Sequence, residues 1–293
     1  MEQQKKRRGD RRDAYFVRDA DPMHAFTPFI LPNRADNEAF ISETIDITNI
    51  NKFLEKKNEG NPAYKYTIFH VIAAAIAKTV TLRPHMNRFI CGHRLYQRKD
   101  FIMSFVAKRI FADDGGELLI FLKCPPDSTI DTIHNAICEK VSRERSNNDG
   151  ADHTTNMMGM LTKIPRPILR FVVRILNWLD YHGMLPDWLA KEDPHQTSVF
   201  ITNLGSIKLH AGYHHLANRG TNSIFLVIGE KYKAPQFDDN GFTGMREVLD
   251  LGITLDERIA DGYYYSKTVK LLKHLLENPE LLDRPANEEV NYD

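Results

Sequence analysis

Asp256-Glu257-Arg258-Ile259-Ala260-Asp261-Gly262 is the stretch on which the reading of this chain turns. Upstream, Leu249, Leu251, Ile253 and Leu255 alternate with Asp250, Gly252, Thr254 and Asp256, the period of two of a half-buried β-strand. Downstream, Tyr264, Thr268, Leu271, Leu272, Leu275 and Leu276 recur at helical spacing, and Pro279 follows the last turn. A strand that ends in charged residues and a glycine before a helix can hold a polar side chain at the mouth of a core.

The rest of the chain supplies ample material for that core. It has 293 residues, 42% hydrophobic and 27% charged, which are ordinary proportions for a soluble globular protein. A net charge of zero gives no argument for nucleic acid as a partner. Cys91, Cys124 and Cys138 are widely spaced, without CxxC or Cys/His metal spacing, so reduced thiols in a cytoplasmic setting and no metal are expected. The N-terminus opens on charge rather than on an apolar run, so no secretory signal is read. Residues 1–13, with Lys5-Lys6-Arg7-Arg8, Arg11 and Arg12, read as a disordered, solvated basic tail, and contact with an anionic surface or partner is the second reading.

Along the chain, Phe40–Ile47 alternates like a strand, and Thr48 or Asn49 caps a short helix through Leu54. Thr67 caps a longer helix through Val80 that is apolar on most sides and therefore buried, and Arg83-Pro84 ends it. Strand-like runs follow at Arg88–Leu95, Phe101–Phe111 and Glu117–Lys123, with Asp113-Asp114-Gly115-Gly116 as a hairpin turn. Ser128 opens another helix through about Arg145, and residues 146–163 read as loop. Three more strands are expected at Ser198–Asn203, Ser223–Lys231 and Glu247–Leu255. Strands outnumber helices and the helices are scattered, which predicts an α/β chain of the α+β kind, a mixed sheet flanked by helices.

The 256–262 stretch resembles the His-x-x-x-Asp-Gly signature of the chloramphenicol acetyltransferase superfamily. The likeness is nearest to the Asp-His-Arg-x-x-Asp-Gly of 2-oxoacid dehydrogenase acyltransferase catalytic domains, with Glu257 in place of the histidine. Ile45-Asp46-Ile47-Thr48 before a helix, the buried helix ending in Arg83-Pro84 with Asn87 beyond, and Ile201-Thr202-Asn203-Leu204-Gly205 are similar to the same family in the same order. The resemblance implies one two-layer domain over residues 14–283, with a helical insertion at about 157–193 and a C-terminal tail at 284–293. It also implies a homotrimer whose sites lie between subunits, and acyl transfer from coenzyme A to a small-molecule acceptor. No lipoyl-type or subunit-binding segment is read ahead of residue 14, so the chain reads as a free-standing catalytic domain.

Four residues take roles from that resemblance. Thr202 would donate its hydroxyl to the tetrahedral oxyanion, a donor worth about 10²–10³ in rate; an ordinary strand threonine is the other reading. Asp261 would brace the site through an ion pair with an N-terminal arginine, for which Arg18 in Tyr15-Phe16-Val17-Arg18 is the candidate. Glu257 stands at the position of the general base. An unperturbed glutamate ionises about four units below a thiol, so a glutamate base needs burial or a neighbouring carboxylate to become useful. A non-catalytic trimeric binding or scaffold module is therefore the alternative function.

Outside the resemblance, His210, His214 and His215 follow the Thr202 strand. Two adjacent histidines on an extended segment point to opposite faces, so they read as surface residues. In the insertion, Ile168 to Tyr181 reads as a helix with Arg170, Arg174 and Asn177 on one face and a very wide apolar face opposite. Fourteen helical residues reach about 21 Å, too short for a ~30 Å bilayer core. Packing of residues 164–190 onto the domain or a subunit interface is favoured over a lid on an acyl channel or a membrane-surface helix. Motifs for nucleotide, zinc-protease or serine-hydrolase chemistry are absent from the sequence.

Overall fold

In the computed structural model, residues 7–108, 116–146, 159, 162–191 and 193–292 are described. A six-stranded mixed sheet carries the fold, in the order β2 (Glu38–Asp46), β9 (Gly241–Asp256), β8 (Ile224–Asp238), β7 (Val199–Asn203), β5 (Phe101–Lys108), β6 (Glu117–Cys124). Only β7 runs parallel to its neighbours; the other pairs are antiparallel. Helices α2 (Thr48–Asn58), α3 (Ile68–Leu82), α4 (Ile130–Ser146) and α7 (Gly262–Glu277) contribute to the main core with this sheet. A small second sheet, β1 (Ala14–Phe16), β4 (Arg94–Arg98) and β3 (Arg88–Cys91), lies beside it with its own cluster around Phe89 and Tyr96.

Helix α3 shows why the sequence reads as it does. Thr67 and His70 form a reciprocal capping box, and from His70 to Val80 every residue is buried. The expected single strand at Arg88–Leu95 is instead the hairpin β3–β4, because Gly92 and His93 both adopt positive φ, 57° and 56°. That is the two-residue turn whose twist suits a hairpin. The expected Asp113–Gly116 turn falls largely outside the described residues.

Strand β9 departs from the expected half-burial: Leu251 through Asp256 are buried on both faces. The segment around Gly212 crosses its second face so closely that a Cβ on Gly252 would meet the Gly212 carbonyl oxygen. Strands β8 and β9 also run further than expected. Beyond Val248, β9 pairs with β8 alone, a two-stranded ribbon that exposes Phe237, Phe242 and Met245.

Described residues near both ends pack where tails are expected. Arg11 is buried, donating to the Asp180 carbonyl and Cys91 Sγ at 3.0 and 3.1 Å, and Arg12 pairs with Asp187 at 3.0 Å. At the other end, the Ala286 and Asn287 amides donate to the Ser128 and Pro126 carbonyls, and the buried Lys78 donates to Pro285. The cysteines are free; burial pushes the Cys91 thiol up to about 11 and the Cys124 thiol up to about 12.

The insertion helix α5 (Arg166–Tyr181) is held in a way the sequence does not announce. Its apolar face is not packed onto the domain: Phe171 is 63% and Trp178 56% exposed, and Asp180 is its buried residue. Asp180 accepts from Gln196 at 3.0 Å and from the Gly220 amide at 3.2 Å, and faces Arg11 at 3.9 Å. A short helix, α6 (Asp187–Lys191), follows, and no helix among the described residues is long and apolar enough to cross a membrane. Replacing Asp180 with alanine orphans those buried donors, so Asp180→Ala is expected to cost about 2–3 kcal/mol. Hydrogen exchange should rise over 166–181 and stay unchanged in the central sheet.

Candidate functional site

The turn after β9 is organised by one carboxylate. Asp256, fully buried, takes two bonds from the Arg258 guanidinium at 2.8 and 2.7 Å and the Arg258 amide at 3.2 Å. Arg34, 3% exposed, lies 3.4 Å from the same carboxylate. The two arginines then spend their remaining N–H groups on backbone. Arg258 donates to the Leu31 and Pro32 carbonyls, and Arg34 to those of Ala217, Ile90 and Gly220 at 2.6, 3.1 and 3.0 Å. Tyr265 of α7 closes the turn, donating to the Asp256 carbonyl at 3.0 Å while accepting the Ala260 amide. Burial and the neighbouring carboxylate push the Tyr265 hydroxyl far up, so it serves as a fixed donor.

Within this clamp Glu257 points outward and is exposed. The burial that a glutamate base would require is missing within this chain. Asp261 is exposed as well, and it caps α7 by accepting the Tyr264 amide at 2.8 Å. The expected Arg18–Asp261 pair is not formed. Arg18 instead meets Asp10 at 2.9 Å and the Phe16 and Arg8 carbonyls. The reason is local: the ordered segment before β1 brings Asp10 next to Arg18.

Thr202 lies half-buried near the end of β7, and its hydroxyl takes no hydrogen bond from the described residues. Its register partner on β8 is Val227, whose partner on β9 is Gly252. Glu257 is five residues beyond Gly252, so about 17 Å along the sheet and about 10 Å across two strands separate it from Thr202. The single chain does not bring the two together.

Two histidines that the sequence reading passed over stand near the turn. Pro22–Ile30 forms helix α1, signalled by Asp21 at its N-cap and Pro22 at its first position. From it, His24 places Nδ1 3.1 Å from the Arg258 carbonyl oxygen, the residue after Glu257. His85 stacks on Tyr264 at 4.4 Å; burial, with Arg88 and Arg83 adding to it, pushes His85 down to about 4, against Asp261. Spacing could flag neither, since both come from distant sequence.

The histidines that were singled out lie elsewhere. His210 approaches Glu230 at 3.5 Å, and the His214 and His215 rings stack at 4.6 Å rather than facing apart, because the segment is irregular and not extended. A third group, His70 of α3 with His134 and Cys138 of α4, clusters between those helices. There His70 Nδ1 accepts the Thr67 amide, which leaves the ring proton on Nε2 facing the Cys138 sulfur at 4.0 Å. A metal would have to displace that proton, and burial already holds His70 neutral, at about 4.

Residues 187–283 match the sequence model of the 2-oxoacid dehydrogenases acyltransferase (catalytic domain) family. No curated protein matches the chain. Among solved structures it is similar to a probable dihydrolipoamide acetyltransferase from Listeria monocytogenes, at 16% identity and TM-score 0.58 over 88% of this chain and 94% of that one. It is also similar to the cubic core of the pyruvate dehydrogenase multienzyme complex (18%, 0.58, 90% and 93%). Chloramphenicol acetyltransferase matches at 10% and 0.53, over 90% and 99%. The fold is therefore the chloramphenicol acetyltransferase-like one that the sequence resemblance implied.

Because the clamp, not residue 257, shapes the turn, Glu257→His is expected to change stability by less than about 0.5 kcal/mol. Arg258→Met removes one partner of a buried carboxylate and is expected to cost about 3–5 kcal/mol. Denaturant titration of the two variants beside the parent checks both values.

Proposed function

We propose that this chloramphenicol acetyltransferase-like chain transfers an acyl group from coenzyme A to a small thiol, amine or hydroxyl acceptor, at a site completed by a second copy of itself. The observation that carries the reading is the sheet register, which sets Thr202 about 17 Å along the sheet and two strands across from the turn at Glu257. If both act on one substrate, they come from different protomers. A homotrimer of cyclic symmetry supplies three such seams. The β8–β9 ribbon supports the same view: an unaccompanied two-stranded ribbon is marginal in water, and this one carries Phe237, Phe242 and Met245 on its surface.

In the reaction, a base takes the acceptor's proton, the acceptor attacks the thioester carbonyl, and the Thr202 hydroxyl donates to the oxyanion that forms. Collapse expels coenzyme A thiolate, which recovers the proton. Glu257, exposed on the turn, serves to hold the acceptor or the coenzyme. Thr202→Ala is expected to lower the rate by about 10²–10³ with little change in binding. Release of free coenzyme A from acetyl- and longer acyl-CoA, over a panel of acceptors, measures it.

The outward-facing Glu257 at the base position favours a second reading, a trimeric binding or scaffold module without turnover. Calorimetric binding of coenzyme A by a wild type that transfers to no acceptor would select that reading.

A further inference from the structure

Within the acyl-transfer reading, on which this rests, we infer that His24 is the general base that Glu257 does not replace. The inference comes from how the ring is held. Its Nδ1 lies 3.1 Å from the Arg258 carbonyl oxygen, an atom that can only accept. The neutral ring must therefore carry its proton on Nδ1, and Nε2 keeps its lone pair. A backbone carbonyl that fixes the tautomer and aims the other nitrogen is the arrangement a histidine base needs.

The support beneath the ring is rigid. Arg258 is itself fixed by two bonds to Asp256 and by the Leu31 and Pro32 carbonyls, just beyond the end of α1. The carbonyl that orients His24 and the helix that carries it are thus pinned by the same guanidinium. The ring is half-buried, shielded from bulk water without being sealed off, and no described residue bonds to its Nε2. His85, the other imidazole nearby, is less suited: it lies flat on Tyr264, and at about 4 it is a weak proton acceptor near neutrality.

The step balances simply. Nε2 takes the proton of the acceptor S–H, N–H or O–H as that atom forms its bond to the acyl carbon. The imidazolium then returns the proton to the departing coenzyme A sulfur. Substrate would meet His24 from one copy and the Thr202 hydroxyl from the next.

Three measurements on the purified chain test this. His24→Asn keeps an N–H for the Arg258 carbonyl but has no proton acceptor at Nε2; it should lose about 10²–10⁴ in turnover while its melting temperature stays unchanged. His24→Ala should regain activity on addition of imidazole, which a purely positioning role would not allow. Equal amounts of His24→Asn and Thr202→Ala, each nearly silent, should recover about a quarter of the parent activity after dissociation and reassembly, the fraction of seams with both intact residues. A His24→Asn enzyme within about threefold of wild type, or a His24→Ala enzyme indifferent to imidazole, would overturn the assignment and leave acyl transfer standing. Should wild type itself transfer to no acceptor, acyl transfer fails and the assignment falls with it.

Discussion

A single buried carboxylate, Asp256, carries the architecture around the candidate site. A charge taken out of water is costly unless opposite charge and donors surround it. Here two guanidiniums meet it, and between them they reach the 31–32, 90 and 217–220 segments. Remove the carboxylate and two buried cations lose their reason to be there; remove either arginine and several carbonyls lose donors together. The turn, the end of β3 and the loop over β9 stand or fall as a unit.

The same logic recurs at the inserted helix. Its anchorage comes from Asp180 at its last turn, set among Arg11, Gln196 and the Gly220 amide, while its apolar face is left exposed. Gly220 belongs to both networks, since its carbonyl serves Arg34 and its amide serves Asp180. Arg98 adds a third tie to this region, bonded to the Gln196, Thr197 and Thr221 carbonyls. Burial pushes its guanidinium down to about 10. The large sheet supplies the hydrophobic stability, but polar contacts of exact stoichiometry decide where its attachments sit.

How much of this the sequence disclosed depends on range. Periodicity found β9, α3 and α7 because their burial follows from neighbours one to four residues apart. The Gly92-His93 turn is not legible in the sequence because a histidine at positive φ has no strong local signature. Strand β8 runs past the expected end at Lys231 because Lys233, Pro235 and Gln236 show no apolar alternation when no sheet face lies behind them. Asp256, Arg258 and Arg34 could not be joined from sequence, since charged residues are expected outside and only the assembled fold brings residues 34 and 256 together. Arg18 pairs elsewhere for the converse reason: Asp10 lies in a stretch that reads as a solvated tail, yet it is ordered beside Arg18. His24 has no local signal, because its ring reaches the turn from a helix 234 residues before Arg258.

The outward set of Glu257 has a consequence for descent. Its neighbours on either side, Asp256 and Arg258, hold the turn from below, so the fold places almost no selective weight on what residue 257 is. A lineage can exchange that side chain by single substitutions without passing through an unstable ancestor. The skeleton would persist while the chemistry drifted, and a partner residue from α1 could take over before or after the change. Shared architecture in such a group records common ancestry faithfully, and records the reaction hardly at all.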